Sequence, residues 1–236
     1  AELRIMVTDF YKSLYTTEGV TGMEEVLMHV PARVTPAMNG ELCAPYTSNE
    51  VKAALFQMFP TKAPGPDGFP AHFYQRHWDI CGEEVTEVVL RIIKGEESAE
   101  AINDTVLVLI PKVTSPTHLS QFRPISLCNV LYKITTKVLA NRLKSILTIL
   151  ISEEQGAFVQ GRLITDNVLV AYECVHAIRT RKRKKSLCAV KLDMMKTYNL
   201  VEWIFLVQMM ENFGFAGEWI RMVMRHLTTA SFTVKL

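Results

Sequence analysis

Ten residues in the first third of the chain, TKAPGPDGFP (61–70), hold three prolines and two glycines. Each proline fixes its own φ and lacks the N–H that a helix needs, so no helix can run through this stretch. It reads as a rigid, tight loop between helices. Before it, TSNEVKAALFQMF opens with Thr47 and Glu50 in capping-box register, which starts a helix there. After it, a helical stretch runs from about Ala71 to Lys94, with a break expected near Gly82. At the N-terminus, Leu3, Val7, Phe10 and Leu14 recur at helical spacing. Residues 17–46 between these helices are mixed and turn-rich.

Beyond residue 100, DTVLVLIPK is rich in β-branched residues and apolar on both sides, as a buried strand is. VTSPTHLSQF is a loop. RPISLCNVLYKITTKVLANRLKSIL begins with Arg-Pro and becomes a long amphipathic helix. Its apolar side carries Leu131, Ile134, Val138, Leu143 and Ile146, and Lys133, Lys137 and Lys144 lie on other faces. A loop with Gly156 and Gly161 leads into a helix over 163–178. The run RTRKRKK follows, then a strand, LCAVKLD, ending on Asp193. Asn199 and Glu202 have capping-box-like spacing for a helix that a glycine C-cap at Gly214 should end. One more helix spans 218–227, and SFTVKL alternates like a strand with nothing after it to pair with. Helices and strands interleave without a regular βαβα rhythm, so the fold class is helix-rich α/β or α+β. A start without Met and an end on an unpaired strand point to a piece of something longer.

Apolar residues make up 49% of the chain, which allows a sizeable core. The formal net charge is only +2, so any argument for a polyanionic partner must come from local clusters. The five cysteines are an odd number without a CxxC pair, so neither a zinc site nor a disulfide framework is indicated. Reduced thiols inside a cell are the expectation. No apolar run is long enough to span a membrane. GxSxG, HExxH and GxGxxG are all missing.

Asp193 at a strand end could hold a hard cation, or it could be a turn or helix-start residue. One carboxylate makes no two-metal site, and the sequence has no Asp-Asp pair. Arg179–Lys185 places six basic residues in seven, either a solvated connection or a phosphate-contacting patch. Arg123, just before a proline, could be a phosphate fork or a surface ion-pair residue. Gln155, Arg162, Asp166 and Asn167 cluster in QGAFVQGRLITDN, where capping and loop hydrogen bonds explain several of them.

In order along the chain, KAPGPDGF, VLIPK, FRPISLCNVLYKITTKVLANRL, QGAFVQGRLITDN and KLDMMKTYNLVEW together resemble the reverse transcriptase of LINE-type (non-LTR) retrotransposons, especially the plant elements. The resemblance covers nearly the whole chain. It implies a right-hand polymerase fold: a helical segment over 1–60, fingers over 61–186 and the first part of the palm over 187–236. It implies RNA-directed DNA synthesis with Mg²⁺, an RNA template, a DNA primer and deoxynucleoside triphosphates, and action in the nucleus. By the same resemblance Asp193 is the first metal-binding aspartate, with the Met194 carbonyl beside it. Tyr198 lies under the incoming sugar. Lys112 and Arg123 grip the triphosphate, and Gln155, Gly161 and Arg162 lie near the template or nucleotide. Arg181, Lys182, Arg183, Lys184 and Lys185 would flank the RNA–DNA duplex.

Departures also stand out. The family usually reads like DMSKAYDRVEW, whereas here Met195 replaces Ser, Thr197 replaces Ala, Asn199 replaces Asp and Leu200 replaces Arg. The adjacent-aspartate hairpin of the family is not in this sequence. The expectation is therefore an enzyme by family whose 236 residues alone are catalytically inert. A non-catalytic nucleic-acid-binding remnant is the alternative. A poorly folded remnant, with a partnerless terminal strand prone to aggregation, is the third reading.

Overall fold

The structure, a computed structural model, describes residues 2–17, 19–180, 187–192 and 200–235. Helix α1 (Glu2–Leu14) follows the spacing read from the sequence. The turn-rich region up to residue 46 contains two further short helices, α2 (Met23–Leu27) and α3 (Pro36–Cys43). The signal for α3 is local: Thr35 caps Met38 N–H and Pro36 stands at the first helical position, where its missing N–H costs nothing.

Helix α4 (Ser48–Phe56) starts on the expected capping box, with Glu50 N–H donating to Thr47 Oγ1 and Thr47 N–H to Glu50 Oε2. The Pro-Gly loop ends it. Helices α5 (Ala71–Arg76) and α6 (Trp78–Lys94) follow, and the break falls at His77 rather than Gly82. Gly82 lies inside α6 because the Trp78 ring packs on it: an added Cβ would sit 2.6 Å from Trp78 Cε2. The glycine serves a close approach, not a kink.

Strand β1 (Asp104–Pro111) is the expected buried strand and is central in a three-stranded sheet. RPISLC, read above as the start of the long helix, is instead most of strand β2 (Phe122–Cys128), antiparallel to β1. Pro124 is tolerated because β2 is an edge strand. Helix α7 (Val130–Leu150) then runs for 21 residues. Helices α8 (Ile164–Thr180), α9 (Trp203–Phe213) and α10 (Gly217–Thr228) complete the helical set. Gly214 caps α9 at φ 91°, as expected.

Two strand expectations change. Strand β3 (Ser231–Lys235) does have a partner, pairing parallel to β1 from Asp104↔Ser231 to Val108↔Lys235. Asn103 directs it there. Its side-chain amide donates to Thr229 Oγ1 (2.9 Å) and to the His226 carbonyl (3.3 Å) at the end of α10. Conversely, residues 187–192 form no strand, and Val190 and Leu192 are 74% and 85% exposed. A strand's hydrogen bonds come from a neighbour, and no described strand lies beside these residues.

The core sits around α7. Its buried side, Ile134, Val138 and Ile146 among others, packs against α4 and α6 and shares one buried cluster with Val51 and Leu55 of α4, Val89 and Ile93 of α6, and Trp219 and Ile220 of α10. Arg142 is its polar counterpart. Its guanidinium makes a two-pronged ion pair with Glu50 (2.7 and 3.0 Å) and donates to the carbonyls of Leu42 (3.0 Å), Pro45 (2.9 Å) and Ala44. It also lies 3.5 Å from the Tyr46 ring centroid. One side chain thereby ties α7 to α4 and satisfies the carbonyls that end α3.

Arg142→Ala should destabilise the fold by about 3–5 kcal/mol, because it leaves a partly buried carboxylate and several carbonyls unpaired. Arg142→Lys should recover little of this, lacking the fork. Urea unfolding of the three proteins checks both. The Arg142 hydrogen bond also holds the Glu50 carboxyl below its usual range. A lowered folded-state value means stability that is present above the unfolded-state value of 4.5 and lost as pH falls through the lower one. Acid titration of stability should therefore be steeper below that pH in the parent protein than in Glu50→Gln.

Candidate functional site

The β1–β2 hairpin positions two of the expected cations. Its register pairs Ile110 with Arg123 and Pro111 with Phe122, and Lys112 N–H extends the ladder to the Gln121 carbonyl (2.8 Å). Side chains alternate along strands and match across them, so Lys112, Ile110 and Arg123 share one face at the hairpin's tip. Both cations are exposed. Lys112 Nζ donates to the Ser120 carbonyl (2.9 Å), which steadies it, and Arg123 has no partner among the described residues. Behind them Val108 and Ile125 leave this face half open. The opposite face, with Leu107, turns toward Tyr11 and Tyr15 of α1.

The Pro-Gly loop docks at the other end of the hairpin, on the β2–α7 junction. Asn129 is the adaptor: its Oδ1 accepts from Asp67 N–H (3.2 Å) and its Nδ2 donates to the Ile102 carbonyl (3.2 Å). Gly65 presses against it so closely that a Cβ would fall 2.3 Å from Asn129 Oδ1. Lys133 Nζ reaches the Ala63 carbonyl (3.3 Å). Five strand residues, roughly 17 Å, separate this contact from Arg123. The loop therefore supports the root of the hairpin and does not meet its cations.

The third group, on the loop after α7, is organised by Arg162. Its guanidinium donates to the carbonyls of Ile151 (2.9 Å), Gln155 (2.8 Å) and Ser152. Gln155 Nε2 donates to the Ala157 carbonyl (3.3 Å), and Gly161 takes φ 83°. Asp166 accepts from Leu163 N–H (3.2 Å) at the start of α8. Gln155, Gly161 and Arg162 are thus brought together, but as a self-bonded loop whose guanidinium is already engaged by backbone.

Asp193, Met194 and Tyr198 lie outside the described residues, as do Arg181, Lys182, Arg183, Lys184 and Lys185. Among the described residues no group of three His, Cys, Asp or Glu side chains comes together to hold a metal ion. These residues by themselves do not make a metal centre. No helix among them is long and apolar enough to cross a membrane. Sequence reasoning missed Asn129 as the adaptor. Its signal was an Asn in N-cap position, and the side chain bonds across to the loop rather than to its own helix.

A family-level match supplies the frame for this geometry. The family described as Reverse transcriptase (RNA-dependent DNA polymerase) matches residues 110–235, more than half of the chain and inclusive of Lys112, Arg123 and the Arg162 loop. The chain belongs to the reverse transcriptase family. Among the relatives, the Transposon TX1 uncharacterized 149 kDa protein of Xenopus laevis is 29% identical over 236 residues, covering 99% of this chain and 18% of that protein. The Retrovirus-related Pol polyprotein from type-1 retrotransposable element R2 of Bradysia coprophila is 26% identical over 197 residues, covering 82% of this chain and 21% of that protein. The chain thus spans about a fifth of the length of these relatives. With the motif order, these similarities make it a segment of a LINE-type, non-LTR reverse transcriptase. The family implies an RNA template and nucleotide substrates, and its members generally use a divalent metal.

Gly65→Ala should destabilise the protein by about 1–3 kcal/mol through overpacking against Asn129. The checks are urea unfolding and amide exchange at residues 63–68. Arg162→Ala should raise proteolytic nicking within 151–163 while the global unfolding midpoint moves less, because its bonds close a local loop. Limited proteolysis beside a denaturation curve tests that pair of outcomes.

Proposed function

We propose that this chain is the fingers and the beginning of the palm of an RNA-directed DNA polymerase, and that its β1–β2 hairpin grips the triphosphate of the incoming deoxynucleotide. The observation carrying this reading is the register that sets Lys112 and Arg123 on one face of one hairpin tip, within the family match. An anchored ammonium and a guanidinium without a side-chain partner among the described residues, on one hairpin tip, suit a polyphosphate: the first is a point charge, the second a planar fork. The Pro-Gly loop and Asn129 hold the hairpin's root, and the family resemblance assigns the Arg162 loop, at the far end of α7, to the template. Mg²⁺ held in part by Asp193 belongs to the same reading, as does a DNA primer.

The sequence carries no adjacent aspartates. The 236 residues alone should therefore give no primer extension, and measurable extension by the purified chain would defeat that expectation. In a protein carrying the complete polymerase region, Lys112→Ala and Arg123→Ala should each raise KM for deoxynucleotide by roughly tenfold or more, the worth of a charge-assisted hydrogen bond. RNA affinity should change far less. An unchanged KM in both variants would remove the hairpin from the site. Binding without synthesis is the second reading, favoured by Asn199 where the family carries an Asp. It predicts that even the complete region holds an RNA–DNA duplex yet extends nothing until Asn199→Asp is made.

A further inference from the structure

The outer side of α7 carries a feature that the hairpin reading does not use. Lys133, Lys137 and Lys144 recur along the helix at the spacing of one stripe. Lys62, from the Pro-Gly loop, joins them across a groove of about 440 Å³ that runs between α7 and the end of α4. A second groove continues it along α7, past Gln57, to Asn141 and Lys144. Among the described residues, no acidic residue lines either groove and none of the four lysines forms an ion pair. Lys133 bonds the Ala63 carbonyl, and Lys62 and Lys144 act on Lys137. Burial, then repulsion from Lys144 and from Lys62, holds Lys137 below the usual lysine range. Phe59 stands in the same groove with 64% of its surface exposed.

Such an arrangement is unfavourable for the chain alone. Like charges converge from two elements onto a partly buried face without a counter-ion among the described residues, and an aromatic ring is left in water beside them. A strand of phosphates with unstacked bases answers both features, neutralising the lysines and stacking on Phe59. A protein partner with an acidic face would answer only the first. We propose that this groove binds single-stranded nucleic acid, with Lys62, Lys137 and Lys144 on successive phosphates and Phe59 under a base. It is a second contact, on the side of α7 that flanks the Pro-Gly loop. The choice of nucleic acid as the polyanion rests on the polymerase reading.

The test is fluorescence anisotropy of the whole chain with labelled oligo(U) and oligo(dT) over a salt series. It compares the parent, Lys62→Gln/Lys137→Gln/Lys144→Gln, and Phe59→Ala. The triple variant should weaken binding by roughly tenfold or more at low salt and flatten the salt slope by about two, since each single-strand phosphate contact contributes about 0.7. Phe59→Ala should weaken binding with no change in slope. Because the lysines repel one another, the triple variant should unfold at the same or a higher urea concentration, which separates lost binding from lost folding. The same comparison with Arg179, Arg181, Lys182, Arg183, Lys184 and Lys185 changed to Gln tells the groove from the basic run: the effect of the triple variant should persist there. Unchanged affinity and slope in the triple variant would overturn the proposal, as would tighter capture of an acidic peptide than of oligo(U). Lys112→Ala and Arg123→Ala should leave oligo(U) binding largely intact, so failure of the groove and failure of the hairpin reading give different results.

Discussion

The guanidinium of Arg142 is the joint on which the helical half of the molecule depends. A buried stripe of Ile134, Val138 and Ile146 explains why α7 is central, but apolar burial has no direction. Arg142 supplies direction. It pairs with Glu50, takes up the backbone carbonyls that finish α3, and stacks on Tyr46, so α3, α4 and α7 meet at one angle and one height. A charge with 12% of its side chain exposed is stable there because its donors are met by the carboxylate and by carbonyls with no helical partners.

What that joint fixes is transmitted to the hairpin. Helix α7 begins at Val130, directly after Asn129, and Asn129 holds both the Pro-Gly loop and the chain entering β1. Moving α7 would move the root of β1–β2 and with it the tip that carries Lys112 and Arg123. The Pro-Gly loop acts as a spacer, rigid because of its prolines and closely seated because Gly65 has no side chain. Its role in the site is positional, and the charges that meet substrate in the proposed reading stand at the far end of the hairpin.

Much of this was legible in the residues. The Thr47–Glu50 box, the period of α1 and α7, the β-branched run of β1 and the glycine that ends α9 are local signals, and the structure has each of them. The apolar residues of Phe122–Cys128 suit either a helical or a strand period, and only the neighbouring β1 decides between them. In sequence Gly82 reads as a breaker, whereas the Trp78 ring packed on it keeps it inside α6 and the break falls at His77. For the site, the residue types were legible and their state was not. Arg162 looks the same in sequence whether or not it closes its own loop, and only the structure shows its bonds to three backbone carbonyls.

The sequence by itself determined the family, through five motifs in a fixed order, and most helices, through capping and periodicity that act within a few residues. Tertiary structure alone decided the pairing of β3 with β1, the placing of Lys112 and Arg123 on one hairpin tip, and the convergence of Lys62 with the lysines of α7. Each of these joins residues far apart in the chain. Hydrogen bonds between strands and repulsion between charges depend on distance in space, and no local pattern encodes that distance.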